Sequence, residues 1–147
     1  MNYEVIWSDE VITGIKDIDE QHKKIVEAIN TLYRSIEENE DKDKIIELIE
    51  SLDPYVNVHF DTEEKYMKQY HYPAALEHKE AHDSFKKIYV EIRYNYHYLG
   101  NKSSPQYKFV YILALHLSQI MIDWLNLHLN TLDKELATFL KTKIDVN

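Results

Sequence analysis

The sequence predicts an all-α fold, an antiparallel up-down four-helix bundle with an irregular N-terminal arm and a short C-terminal helix. Three observations carry that expectation. Only two Gly and three Pro occur in 147 residues, so the chain has few built-in breaks. Apolar residues recur with helical rather than alternating period through most of its length. The polar stretches between periodic segments are short, which joins consecutive helices as antiparallel neighbours. The length suits one domain over 1–147, with 1–16 as the arm.

After the arm, Asp17 and Glu20 read as a capping box opening a helix whose apolar face runs through Ile25, Val26, Ile29, Leu32, Tyr33 and Ile36. His22 shares that face. The polar run from Glu37 to Asp43 ends this helix, and a second is expected from about Lys44 to Tyr70. Within it Asp53 and Pro54 read as an N-cap followed by proline at the first helical position, so the helix is expected to kink or restart there. Beyond that point Val56, His59, Phe60, Glu63, Met67 and Tyr70 form one stripe. Tyr72 and Pro73 turn the chain into a third helix, where His78, His82, Phe85, Tyr89, Ile92, Tyr96 and Leu99 alternate by four and three as in a bundle seam. Gly100 to Pro105 is a turn by composition, and the fourth helix is expected from about Gln106, with Phe109, Leu113, Leu117, Ile120, Met121, Trp124 and Leu127 making it largely buried.

The net charge of −9 and pI near 5.3 argue against a nucleic-acid partner, because neutralising phosphates takes a basic face. With no Cys, disulfides and thiolate metal sites are excluded. The acidic, mixed stretch from Met1 to Glu10 lacks the basic start and apolar run of a signal peptide, so a cytoplasmic location is expected. Phe109 to Leu129 carries a single formal charge, Asp123, yet polar residues interrupt it well short of the ~20 apolar residues a membrane span requires. No membrane partner is expected.

Seven residues carry the chemistry: His22, His59 with Glu63, His78 with His82, and His128 with Asp133. Five imidazoles and two carboxylates without thiolate form a nitrogen and oxygen donor set suited to a borderline transition metal. Residues four apart on a helix project from one face, so His59 and Glu63 can aim at one spot, as can His78 and His82. His128 and Asp133 are five apart, which swings them ~140° from each other in a regular α-helix, so they need a π-bulge or a helix end between them to cooperate. One histidine on an apolar stripe is ordinarily a hydrogen-bonded core residue; five of them on four helices, with two carboxylates, would cost several kcal/mol if left unpaired. His97 lies ~22 Å along its helix from His82 and His116 more than three turns from His128, so neither reaches the same point. His71 reads as a loop residue, and the twelve tyrosines as amphipathic packing.

His22, His59-x3-Glu63 with Phe60, His78-x3-His82, and Trp124-Leu125 ahead of His128-x4-Asp133 resemble the hemerythrin family in its bacterial single-domain form. The likeness covers nearly the whole chain, including Trp7 and the Thr13 to His22 entry. It implies that His78, His82 and His128 ligate one iron, that His22 and His59 ligate the other, and that Glu63 and Asp133 bridge a non-haem, oxo- or hydroxo-bridged pair. One coordination position then stays open on the two-histidine iron. The family binds dioxygen there reversibly, with small anions such as azide as competing ligands, and Ile25, Phe60, Trp124 and Leu125 match the positions of the pocket wall. Generic core packing accounts for those four equally well. Pro54 and the long segment between His82 and His128 depart from the family pattern, the latter implying that the third and fourth helices extend beyond the site.

The implied function is storage, delivery or sensing of dioxygen rather than catalysis. The rival class is a di-iron oxidase, peroxidase or iron-sequestering protein. Ferritin-like di-iron enzymes take Glu-x-x-His from two helices, and no His here has Glu three residues before it. A zinc hydrolase is disfavoured because His78-Lys79-Glu80-Ala81-His82 fits neither H-E-x-x-H nor H-x-x-E-H.

Overall fold

The computed structural model describes residues 4–99, 103 and 105–144. Its helices are α1 (Lys16–Glu37), α2 (Lys42–Glu50), α3 (Leu52–Gln69), α4 (Ala75–Leu99), α5 (Val110–His128) and α6 (Lys134–Lys141). With α2 and α3 nearly end to end, and α5 running into α6 through a π-helical turn at Leu129–Asp133, they make the four long rods of an antiparallel bundle. Short 3-10 turns at Asp9–Val11 and Pro105–Phe109 precede α1 and α5. The expected turn at 100–105 falls mostly outside the described residues, as do the side chains of Tyr96, His97 and Leu99.

The start of α1 differs from the expected capping box. Asp19, not Glu20, reaches back: its Oδ1 accepts from the Thr13 N–H at 2.8 Å and the Thr13 hydroxyl at 2.7 Å, and its Oδ2 accepts from the Gly14 N–H at 3.0 Å. Thr13 Oγ1 in turn accepts from the Ile15 N–H. Gly14 turns with φ of 84°, a left-handed conformation that glycine adopts at no steric cost. Asp17 is drawn instead to the Tyr66 hydroxyl at 2.8 Å, which ties the first turn of α1 to α3.

The second rod restarts as expected, but at Ser51 rather than at Asp53. Leu52 is fully buried and opens α3, so Asp53 and Pro54 fall within its first turn. A proline there removes no intrahelical bond, since the first four N–H groups of a helix have no acceptor inside it. Asp53 forms an ion pair with Arg93 of α4. The break leaves α2 free to tuck Ile45 and Ile49 into the core, and the Tyr89 hydroxyl of α4 donates to the Ile49 carbonyl at 2.9 Å.

Two apolar clusters divide the interior. The larger gathers Ile29, Leu32, Ile45, Leu52, Tyr89, Val110, Ala114, Leu117 and Met121 among others, drawn from every helix from α1 to α5. The smaller closes the other end with Ile15, Ile18, Met67, Leu136, Ala137 and Leu140. On every rod the histidines and carboxylates fall between residues of the two, so a polar layer is sealed from both ends.

Replacing Tyr89 by Phe removes its bond to the Ile49 carbonyl at the break, and should cost about 0.5 to 1.5 kcal/mol in urea unfolding while leaving metal content intact. A variant as stable as its parent would mean that this bond does not hold the break in place.

Candidate metal centre

All seven residues singled out by spacing converge in that layer, and each is buried: His22, Glu63 and His82 have no exposed surface, and His59, His78, His128 and Asp133 retain 3% or less. Their donor atoms form two overlapping groups, each within 4.8 Å: His78, His82 and His128 with Glu63 and Asp133, and His22 and His59 with the same Glu63 and Asp133. The π-helical turn makes this possible. Its i to i+5 spacing brings Asp133 back over His128, where an α-helix would turn it away. Asp133 then divides its oxygens: Oδ1 lies 2.8 Å from His128 Nε2 and 3.1 Å from His78 Nε2, whereas Oδ2 lies 2.9 Å from His22 Nε2 and 3.6 Å from His59 Nε2. Glu63 Oε2 is 3.0 Å from the Nε2 atoms of both His78 and His82 and 3.6 Å from that of His59.

These distances fit metal ions better than a network of hydrogen bonds. Adjacent donors around an octahedral ion bonded at ~2.1 Å sit ~3 Å apart. His22 Nε2 and His59 Nε2 face each other at 3.1 Å. His128 Nε2 and Asp133 Oδ1, though only 2.8 Å apart, do not form a hydrogen bond; with Asp133 Oδ2 and Glu63 Oε1 they are buried polar atoms without such a partner. Lone pairs that crowd together without pointing at one another suit ligands of a shared cation. Aromatic rings brace the imidazoles from outside, Phe60 stacking on His82 at 4.0 Å and Trp124 on His128 at 4.3 Å.

A family model described as the hemerythrin HHE cation binding domain matches residues 13–140. The chain belongs to the hemerythrin family. The bacteriohemerythrin of Clostridium acetobutylicum is 41% identical over 86 residues, covering 56% of this chain and 66% of that protein. That of Pseudomonas aeruginosa is 38% identical over 89 residues, covering 60% and 58%. The chain thus spans about three fifths of the length of the curated Pseudomonas relatives it matches. A crystal structure of a hemerythrin bearing a leucine-to-tyrosine substitution superposes with a TM-score of 0.77 at 22% identity, over 93% of this chain and 97% of that one, which establishes a common fold. The family's cofactor is a non-haem di-iron centre, and the buried donor set fits it.

Ile25, Phe60, Trp124 and Leu125 all line one small cavity of about 10 Å³ beside His59, joined by Ile29, Val56, Phe85 and Met121, which the spacing argument did not single out. Two further residues went unnoticed in the sequence. Gln21 Oε1 lies 3.3 Å from His59 Nδ1 while its amide donates to Thr62, and Glu64 Oε1 lies 3.1 Å from His82 Nδ1. Each is the immediate neighbour of a donor, Gln21 of His22 and Glu64 of Glu63, and adjacency was the only available signal. His116, on α5, belongs to neither donor group, and His71 is exposed in the loop between α3 and α4 with φ of 52°.

Without metal the layer is electrostatically tense. Burial pushes Glu63 up to about 7, against the pull of His59. Burial also drives Asp133 upward, but the close imidazoles of His128, His22, His59 and His78 overcome it and hold the carboxyl well below the usual range. His78 resists its own burial and is raised to about 9 by the neighbouring carboxylates of Asp133 and Glu63, whereas burial and the neighbouring His78 and His128 push His82 down to about 2. An unfolded histidine gains a proton near pH 6.5 that folded His82 refuses, so through His82 the metal-free fold loses stability as pH falls below 6.5.

Metal uptake must displace the His78 proton and, near neutrality, the one half-occupying Glu63. Loading weakly buffered metal-free protein should therefore release protons, and release fewer above pH 9 than at pH 7. A release independent of pH over this range would contradict the assignment of these protons.

Proposed function

We propose that this chain binds dioxygen reversibly at a non-haem di-iron centre, as a binding protein that stores, delivers or senses oxygen in the cytoplasm. His78, His82 and His128 hold one iron, His22 and His59 hold the other, and Glu63 and Asp133 bridge them. When bound, the two irons supply the electrons and the open coordination position that reversible dioxygen binding needs.

The observation that carries this reading is the position of the cavity. Of the five histidines only His59 lines it, so the small guest space adjoins the donor group with two histidines and not the group with three. Its volume is that of about one water-sized guest. Apart from His59 and the indole of Trp124, the side chains around it carry no N–H or O–H group, so water there finds few partners and protons have few donors. A dry, proton-poor chamber lets a guest bind and leave unchanged, and it disfavours small anions such as azide, which enter at a desolvation cost. The stretch Tyr107–Lys141 is long and apolar enough by composition to cross a membrane. Its Leu117, Met121, Leu125, Leu129, Leu136 and Leu140 are buried in the bundle, whereas Phe109, Ile112, Leu113 and Leu127, two of them well over half exposed, face outward, so the expected burial of this helix holds for one face only.

The reading is tested by the optical spectrum of the reduced, iron-loaded protein before and after exposure to air. A visible band that appears with oxygen and disappears on its removal supports reversible binding. Irreversible bleaching with peroxide release would instead assign an oxidase, and the absence of any iron-dependent band would remove both.

Leu125 lies one helical turn before His128 and is 3% exposed, which makes it the natural gate of the chamber. Leu125→Ala should retain both irons, lose about 2 to 5 kcal/mol of stability, and both autoxidise and bind azide faster in stopped-flow measurements. Rates equal to the parent's would eliminate the gate.

A further inference from the structure

The outer faces of the site differ in a way that the donor set alone does not require. The Nε2 atoms of the paired histidines turn inward, so their Nδ1 atoms face the protein. His82 Nδ1 meets a carboxylate, Glu64, at 3.1 Å, and His59 Nδ1 meets a neutral amide, Gln21, at 3.3 Å. His22 Nδ1 and His78 Nδ1 are buried with no hydrogen-bond partner. The charged partner therefore serves a histidine of the three-histidine group, and the neutral one a histidine of the group beside the cavity.

An imidazole whose Nδ1–H donates to a carboxylate is a more basic ligand through Nε2, because the anion draws the proton outward and leaves more charge on the ring. An amide oxygen orients the ring with far less charge transfer. The surroundings preserve this contrast. Glu64 is 25% exposed in its side chain and sits at the rim of an open groove with Met67, Lys68, Leu76 and Lys79. Lys79, on the same groove, is committed to Asp83 at 2.9 Å. Gln21 is fixed from behind by its 2.9 Å bond to Thr62, so its oxygen, not its NH₂, is turned to His59.

We propose that Glu64 is a positioning residue that makes His82 the strongest histidine donor of the site, and that Glu64 and Gln21 together make the two metals electronically unequal. The proposal rests on the di-iron reading above for which metal each histidine holds. Extra donation through His82 favours the ferric state of the three-histidine iron, while the iron beside the chamber remains the more easily kept ferrous.

The test compares Glu64→Gln, which keeps an acceptor of the same shape without the charge, with Gln21→Glu, which adds a charge on the other side. In Glu64→Gln both irons should remain. The ferric-to-ferrous preference at the affected iron should fall about 10- to 100-fold, raising its midpoint potential by about 60 to 120 mV. Gln21→Glu should lower the potential of the other iron. In the dizinc protein, which needs neither dioxygen nor redox change, the His82 Nδ1 proton should resonate downfield of that of His59, and should move upfield in Glu64→Gln alone. Parent-like potentials in both variants, an unmoved proton resonance, or loss of a metal from Glu64→Gln would overturn the proposal. Failure of dioxygen binding in a protein that shows these shifts would count against the proposed function and leave this inference standing.

Discussion

Everything in this fold answers to one constraint, the burial of five imidazoles and two carboxylates in a single layer between two apolar plugs. Each buried polar group without a partner costs about 1 to 3 kcal/mol by mutational measures, and an ionised one more. A domain of this size has only about 5 to 15 kcal/mol of net stability. Orphaned atoms on Glu63, Asp133, His22, His78 and His128 would consume much of that margin. Cations at the convergence of the donors turn the same groups from a liability into cross-links among all four rods.

The remaining irregularities of the chain fall into place around that layer. The π-helical turn spends a regular hydrogen-bond register to aim Asp133, and the Asp19 hydrogen bonds fix where α1 begins, which sets the rotation of His22 three residues on. The restart at Ser51 lets α2 close the large cluster while α3 keeps His59 and Glu63 directed inward. Phe60 serves twice, stacking on His82 and lining the chamber beside His59, so the packing that orients one side of the site also shapes the space on the other.

What could be read from the sequence was what local periodicity encodes. Spacing by four put His59 with Glu63 and His78 with His82, and the spacing of five between His128 and Asp133 required a break in the helix that the structure supplies as a π-helical turn. The helix number and the extension of the last two rods beyond the site followed from the same pattern. Contacts between distant segments were not legible. Asp19 lies two residues from the expected cap, and only the path of the arm decides that it bonds Thr13 and Gly14. Leu52 displaces the restart from Asp53 because it is drawn fully into the large apolar cluster, which forms only when the rods meet. Ile29, Val56, Phe85 and Met121 meet around the cavity from four rods, and no period along one of them marks that meeting. Gln21 and Glu64 touch histidines 38 and 18 residues away, a relation that exists only after the rods have packed.

The central claim is that two metal ions complete the core. Its most direct test is an anaerobic titration of the metal-free protein with ferrous iron, following the thermal unfolding midpoint at each addition. The account predicts a midpoint that climbs with added iron and breaks sharply at two equivalents per chain, since both donor groups share Glu63 and Asp133 and are completed together. A break at one equivalent, or a midpoint indifferent to iron, would contradict it.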